Sequence, residues 1–161
     1  MSKGKLNPTK ISLSVKARGE AIALLNEALA DLSDLYSQAK QAHWNVRGKK
    51  FYQLHLLFDQ AAGSVEGHID TVAERVTQLG GYAEGTVRMA AKNSRLPEWP
   101  VNLDAEEEFV AAITDRFAIT ANALRAAIDA ATKVGDADTA DLFTGVSRDL
   151  DKNLWFLEAS K

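Results

Sequence analysis

Apolar side chains recur along this chain at helical intervals. From Glu20 onward, Ile22, Leu25, Leu29, Leu32, Tyr36, Ala39 and His43 step alternately by three and four residues, and Arg47-Gly48 closes the run. That is the stripe one face of an amphipathic helix buries. A second long helix is predicted from Phe51 to Leu79 on Phe58, Ala62, Val65, Ile69, Val72 and Val76, stopped by Gly80-Gly81. Residues 82–103, with Pro97 and Pro100 around Glu98-Trp99, break the period and read as a long crossover with room for a short helix. Asp104 with Glu107 three residues on has the spacing of a capping box and opens a third helix, Ala105 to Lys133, which Gly135 ends. A fourth runs from Asp136 to Ala159, with Asp at its amino end where the helix dipole favours negative charge. No alternating strand pattern competes, so the expected fold is all-α: an up-down four-helix bundle with short links inside each pair and one long crossover between the pairs.

Residues 1–19 lack this period and contain two Gly and a Pro, so they are expected to form a mobile arm, with the bundle occupying 20–161. Charge divides at the same place. Lys3, Lys5, Lys10, Lys16 and Arg18 stand against Glu20 alone, giving +4, so the net charge of −3 leaves −7 on the rest. A basic arm precedes an acidic body. The chain of 161 residues, 46% of them hydrophobic, is large enough for one domain with its own core. With no cysteine, disulfides, thiolate metal sites and Cys nucleophiles are excluded, and any site is built from His, carboxylates and hydroxyls. No apolar run approaches the roughly 18 residues of a membrane span and no signal-peptide core is visible, so a cytoplasmic protein is expected.

The second helix carries the candidate chemistry. Asp59, Glu66, Asp70 and Glu74 all fall within about 100° of His55 around its axis, bordering the buried stripe. The pairs His55/Asp59 and Asp70/Glu74 are nevertheless centred roughly 22 Å apart along the helix, so one chain cannot bring them together. They lie symmetrically about residues 64–65. Two copies of this helix crossing antiparallel on a two-fold axis there would set His55 against the partner's Glu74 and Asp59 against the partner's Asp70, forming two identical sites. The first helix adds His43. His68 falls on the other side and is not expected to be a ligand. Such a His and carboxylate set suits Fe(II), Mn(II) or Zn(II), and the residues alone leave open that these are surface carboxylates with two hydrogen-bonded histidines. No His has a Glu three residues before it, which argues against the Glu-x-x-His sites built inside a single bundle.

The strings Ala42-His43-Trp44-Asn45-Val46-Arg47-Gly48, His55-x-x-x-Asp59, His68-Ile69-Asp70-Thr71-Val72-Ala73-Glu74-Arg75 and Ser147-Arg148-Asp149-Leu150-Asp151-Lys152-Asn153-Leu154-Trp155-Phe156 closely resemble the Dps family, the mini-ferritins. The likeness runs from about Glu20 to Glu158. It implies a ferritin-like subunit in a dodecameric shell, with a ferroxidase centre at each two-fold interface that oxidises Fe(II), preferentially with hydrogen peroxide, and stores the ferric mineral inside. Iron is the implied metal. By motif, His43, His55 and Asp59 would come from one subunit and Asp70 and Glu74 from its neighbour. Trp44 and Trp155 would sit near the centre and intercept stray oxidising equivalents, packing in the core being the alternative. Acidic residues at the start of the fourth helix, Asp136, Asp138 and Asp141, would line iron-entry pores at the three-fold axes, Asp141 matching best, complementation of the helix dipole being the alternative for Asp136 and Asp138. The basic arm would bind DNA without sequence preference, twelve weak arms acting together on one shell, and place the protein on the nucleoid. A shell that stores iron and removes peroxide without binding DNA is the alternative.

Overall fold

The computed structural model describes residues 6–161. Among them are helices α1 (Val15–Asn45), α2 (Phe51–Gln78), α3 (Val87–Asn93), α4 (Glu106–Val134) and α5 (Ala137–Glu158), and no strand. α1 packs on α2, α4 on α5, and the pairs meet through α1 with α4 and α2 with α5. The predicted apolar stripes converge on one core. Leu25, Leu29, Leu32 and Leu35 of α1, Phe58 and Val65 of α2, Ile113 and Phe117 of α4, and Phe143, Leu150 and Leu157 of α5 are fully buried in it.

Three of the helix ends are set by particular residues. Gly80 follows α2 at φ +86°, a conformation open to glycine at little cost, and its carbonyl accepts a hydrogen bond from the Asn7 N–H at 2.8 Å. Gly135 ends α4 at φ +84°. Asp136 then caps α5, its carboxylate accepting from the Thr139 N–H (3.1 Å) and hydroxyl (2.6 Å).

Two boundaries differ from the sequence reading. α1 begins at Val15 rather than Glu20, because Ser14 caps it, accepting from the Ala17 N–H at 3.1 Å. The first turn carries exposed Val15 and Lys16 and so leaves no apolar period to read. The expected mobile arm is thus, over its described part, a docked segment. Arg18 is buried (8% exposed) and its Nη1 donates to the carbonyls of Leu79 (3.0 Å) and Asn7 (3.3 Å), a cation placed at the negative end of α2's dipole. Lys3 and Lys5 lie outside the described residues. α4 is capped at Ala105, not Asp104, and the carboxylate that reaches back is Glu108, not Glu107: it accepts the N–H groups of Asp104 (2.9 Å) and Ala105 (3.0 Å). Those backbone hydrogen bonds, from Ala105 first, hold the Glu108 carboxyl below the usual Glu range.

The crossover is pinned rather than loose. Asp31, 1% exposed on α1, accepts from the Arg95 N–H and guanidinium at 2.6–2.9 Å, and Arg116 of α4 reaches the Glu98 carbonyl (2.9 Å) and Gln38 (3.0 Å). Among the described residues no helix is long and apolar enough to cross a membrane.

Candidate metal centre

His43 lies in the last turns of α1 and His55 in the second turn of α2, so the tight link between the helices brings them together. Their rings stack, with centroids 3.8 Å apart and planes inclined by 20°. Each braces the other's backbone: His43 Nδ1 is 2.8 Å from the His55 carbonyl and His55 Nδ1 is 2.9 Å from the His43 carbonyl. A carbonyl only accepts, so both Nδ1 atoms carry hydrogen, and in the neutral imidazole the lone pair is then on Nε2. That is the tautomer a metal-binding imidazole requires.

Asp59, one turn after His55, presents Oδ1 3.9 Å from His43 Nε2. The same oxygen accepts a 2.6 Å hydrogen bond from Lys40 Nζ. This bond first holds the Asp59 carboxyl below the usual Asp range, against a smaller opposing effect of desolvation and with the charge of the Lys40 ammonium adding to it. Lys40 is absent from the sequence reading. Its position three residues before His43 on the same helix face was the available signal.

Asp70 and Glu74 stand exposed further along α2, as does Glu66. The structure therefore sets His43 beside His55 and near Asp59 and leaves Asp70 and Glu74 further along α2. Among the described residues no three His, Asp or Glu side chains converge to hold a metal ion within one chain. His68 is engaged elsewhere, its Nε2 2.9 Å from Asp149 Oδ2 on α5. Trp44 and Trp155, left open between centre and core, are 64% and 62% exposed, so neither is a core residue of the subunit. Phe51, Tyr52 and Leu56, in the same turns of α2 as His55, are exposed too.

The acidic start of α5 divides. Asp136 is 1% exposed and paired with Arg75 Nη2 at 2.9 Å, a buried cap that fits the helix-dipole alternative for this residue rather than a pore lining. Asp138 and Asp141 do face solvent. Of the arm's cations within the described residues, Lys10 and Lys16 are exposed, Lys16 lying 3.8 Å from Glu20, whereas Arg18 is withdrawn.

Residues 22–160 match the family model of the ferritin-like domain. The chain is 43% identical, over 96% of both sequences, to the DNA protection during starvation protein of Agrobacterium fabrum. Among solved structures, DpsC from Streptomyces coelicolor superposes with a TM-score of 0.92 at 32% identity, over 97% of this chain and 91% of that one. The Dps protein of Vibrio cholerae O1, described as a member of a broad superfamily of ferritin-like diiron-carboxylate proteins, superposes with a TM-score of 0.87 at 25% identity, over 97% and 98% of the two chains.

Proposed function

Since the chain belongs to the Dps family of ferritin-like proteins, we propose that it oxidises Fe(II) at centres shared between two subunits, preferentially with hydrogen peroxide, and stores the ferric product inside a dodecameric shell. The observation that carries this reading is the divided ligand set: a half-site of His43, His55 and Asp59 in one place and two exposed carboxylates in another. A two-fold axis near residues 64–65 supplies the missing half from the partner. The exposed Trp44, Phe51, Tyr52 and Leu56 favour the same arrangement, since apolar side chains of that size are ordinarily covered.

Each residue's task follows from its chemistry. The partner's Asp70 and the partner's Glu74 offer hard oxygen ligands for Fe(II), and His43 offers Nε2 already in the right tautomer. His55 with Asp59 forms the weaker second position. Two Fe(II) each give one electron to one peroxide, which takes up two protons and leaves as two waters, so no hydroxyl radical is released. Asp138 and Asp141, both exposed, would guide cations inward. Stored iron and consumed peroxide protect DNA in the cytoplasm whether or not the shell touches it. Anaerobic Fe(II) loading followed by peroxide tests the reading: peroxide is consumed at one per two Fe(II) and dense cores grow. Oxidation no faster than in buffer contradicts it.

DNA binding would rest on Lys3, Lys5, Lys10 and Lys16, with Arg18 committed to α2. The docking of Asn7 and Arg18 favours the second reading, a shell that protects without binding. If the arm binds phosphate, the Lys3→Gln/Lys5→Gln/Lys10→Gln variant loses its low-salt mobility shift, and each lost contact lowers the salt slope by about 1. An unchanged shift removes the arm from DNA binding.

A further inference from the structure

The turn that joins α1 to α2 decides whether His43 and His55 meet, and it is held from a third helix. Lys50, at the cap position of α2, gives the helix no side-chain hydrogen bond, and the first turn of α2 carries no acidic residue. Both of the usual devices for satisfying a helix amino end and complementing its positive pole are therefore missing from α2 itself. Glu106, the first residue of α4, supplies a carboxylate instead: its Oε2 accepts the Lys50 N–H at 2.9 Å. The same carboxylate lies so close to Gly48, at φ +138°, that a Cβ there would collide with it. Because α4 packs on α5 and α1, with α2 diagonal to it, this contact links opposite corners of the bundle.

From Glu106 a short chain of neighbours leads to the imidazole rings. The Phe51 N–H donates to the Gly48 carbonyl at 3.3 Å, and the Phe51 ring lies against His55 with centroids 5.1 Å apart. His55 in turn stacks on His43 and braces its backbone. We infer that Glu106 is a positioning residue for the candidate centre: a carboxylate supplied by α4 that caps α2 and fixes the α1–α2 turn, and with it the alignment of the two imidazoles. The inference deepens the ferroxidase reading and rests on it. Glu106 acts on the backbone of the turn and not on a ligand, so its removal keeps every ligand and loosens only their arrangement. Groups that orient metal ligands contribute about 10–100-fold to affinity, and one that acts through a turn belongs at the lower end of that range.

Zinc binding to the metal-free full-length protein, followed by calorimetry alongside thermal melts, tests this without relying on turnover. Glu106→Ala is expected to bind zinc about tenfold more weakly than the wild type. Glu106→Gln, which keeps an oxygen acceptor for the Lys50 N–H, stays within about twofold of the wild type. Glu107→Ala, which removes the same charge from the next, exposed position, binds as the wild type does. Wild-type affinity in Glu106→Ala overturns the inference, even where the melt has fallen. So does Glu106→Gln dropping as far as Glu106→Ala, or Glu107→Ala weakening binding equally. His43→Ala separates the two levels. If it binds zinc as the wild type does, the centre itself has been misplaced. If it loses zinc while Glu106→Ala matches the wild type, only the role of Glu106 falls.

Discussion

Replacing Asp70 and Glu74 together by alanine is expected to leave the subunit folded and the shell assembled while slowing peroxide-dependent Fe(II) oxidation by at least about a hundredfold. Both side chains are exposed on α2, neither is an ion-pair partner of another described residue, and neither contributes to the core. Their removal costs the subunit little, since surface substitutions away from special features usually stay within about 0.5 kcal/mol. The loss to the centre is of another order. Changing residues that merely support metal ligands costs about 10–100-fold, and these two would be the hard oxygen ligands on which Fe(II) binding chiefly rests. Size-exclusion chromatography with stopped-flow oxidation checks both halves. Wild-type rates in an intact shell would remove the two carboxylates from the centre.

The Asp136→Ala variant should be the most destabilising single change in this part of the fold, by about 3–5 kcal/mol. Asp136 is buried at 1% exposure, holds Arg75 at 2.9 Å and caps α5 through both the N–H and the hydroxyl of Thr139. Its removal strands a guanidinium whose side chain is only 10% exposed and uncaps a helix at once. Arg75→Met should cost less, because Thr139 still satisfies the carboxylate. Thermal melts at fixed protein concentration would show a fall on the order of 10 °C for Asp136→Ala. A melt within a degree or two of the wild type would contradict this account of the pair. Glu74 lies one residue before Arg75, so the same pair anchors the stretch of α2 that presents it.

The residues legible from sequence are those whose signal is local. The stripes of α1, α2, α4 and α5 are written in every third or fourth residue, and His43 is visible because it falls on one of them. The distance between His55 and Glu74 follows from helical rise alone, since α2 runs unbroken from one to the other. What stayed hidden depends on long-range partners. Nothing near Arg18 shows that it will bury itself against Leu79, sixty-one positions away, so it read as one more arm cation. Asp136 read as one of three acids until Arg75 of α2 singled it out. The capping register of α4 was ambiguous for a different reason: Glu106, Glu107 and Glu108 are consecutive, and only backbone geometry selects Glu108. Lys40 stayed hidden for the same reason as Arg18 and Asp136, because its partner Asp59 is nineteen residues on and on another helix.

That the centre is shared between two subunits is tested most directly by complementation. One chain carries His43→Ala and His55→Ala, the other Asp70→Ala and Glu74→Ala, and each alone should be inactive. Co-assembled at equal amounts, half of the two-fold contacts pair unlike chains, and each such contact rebuilds one intact centre of its two. Recovery of about a quarter of the wild-type rate of Fe(II) oxidation is the predicted result. No recovery in shells shown by mass spectrometry to contain both chains would contradict a centre divided between subunits.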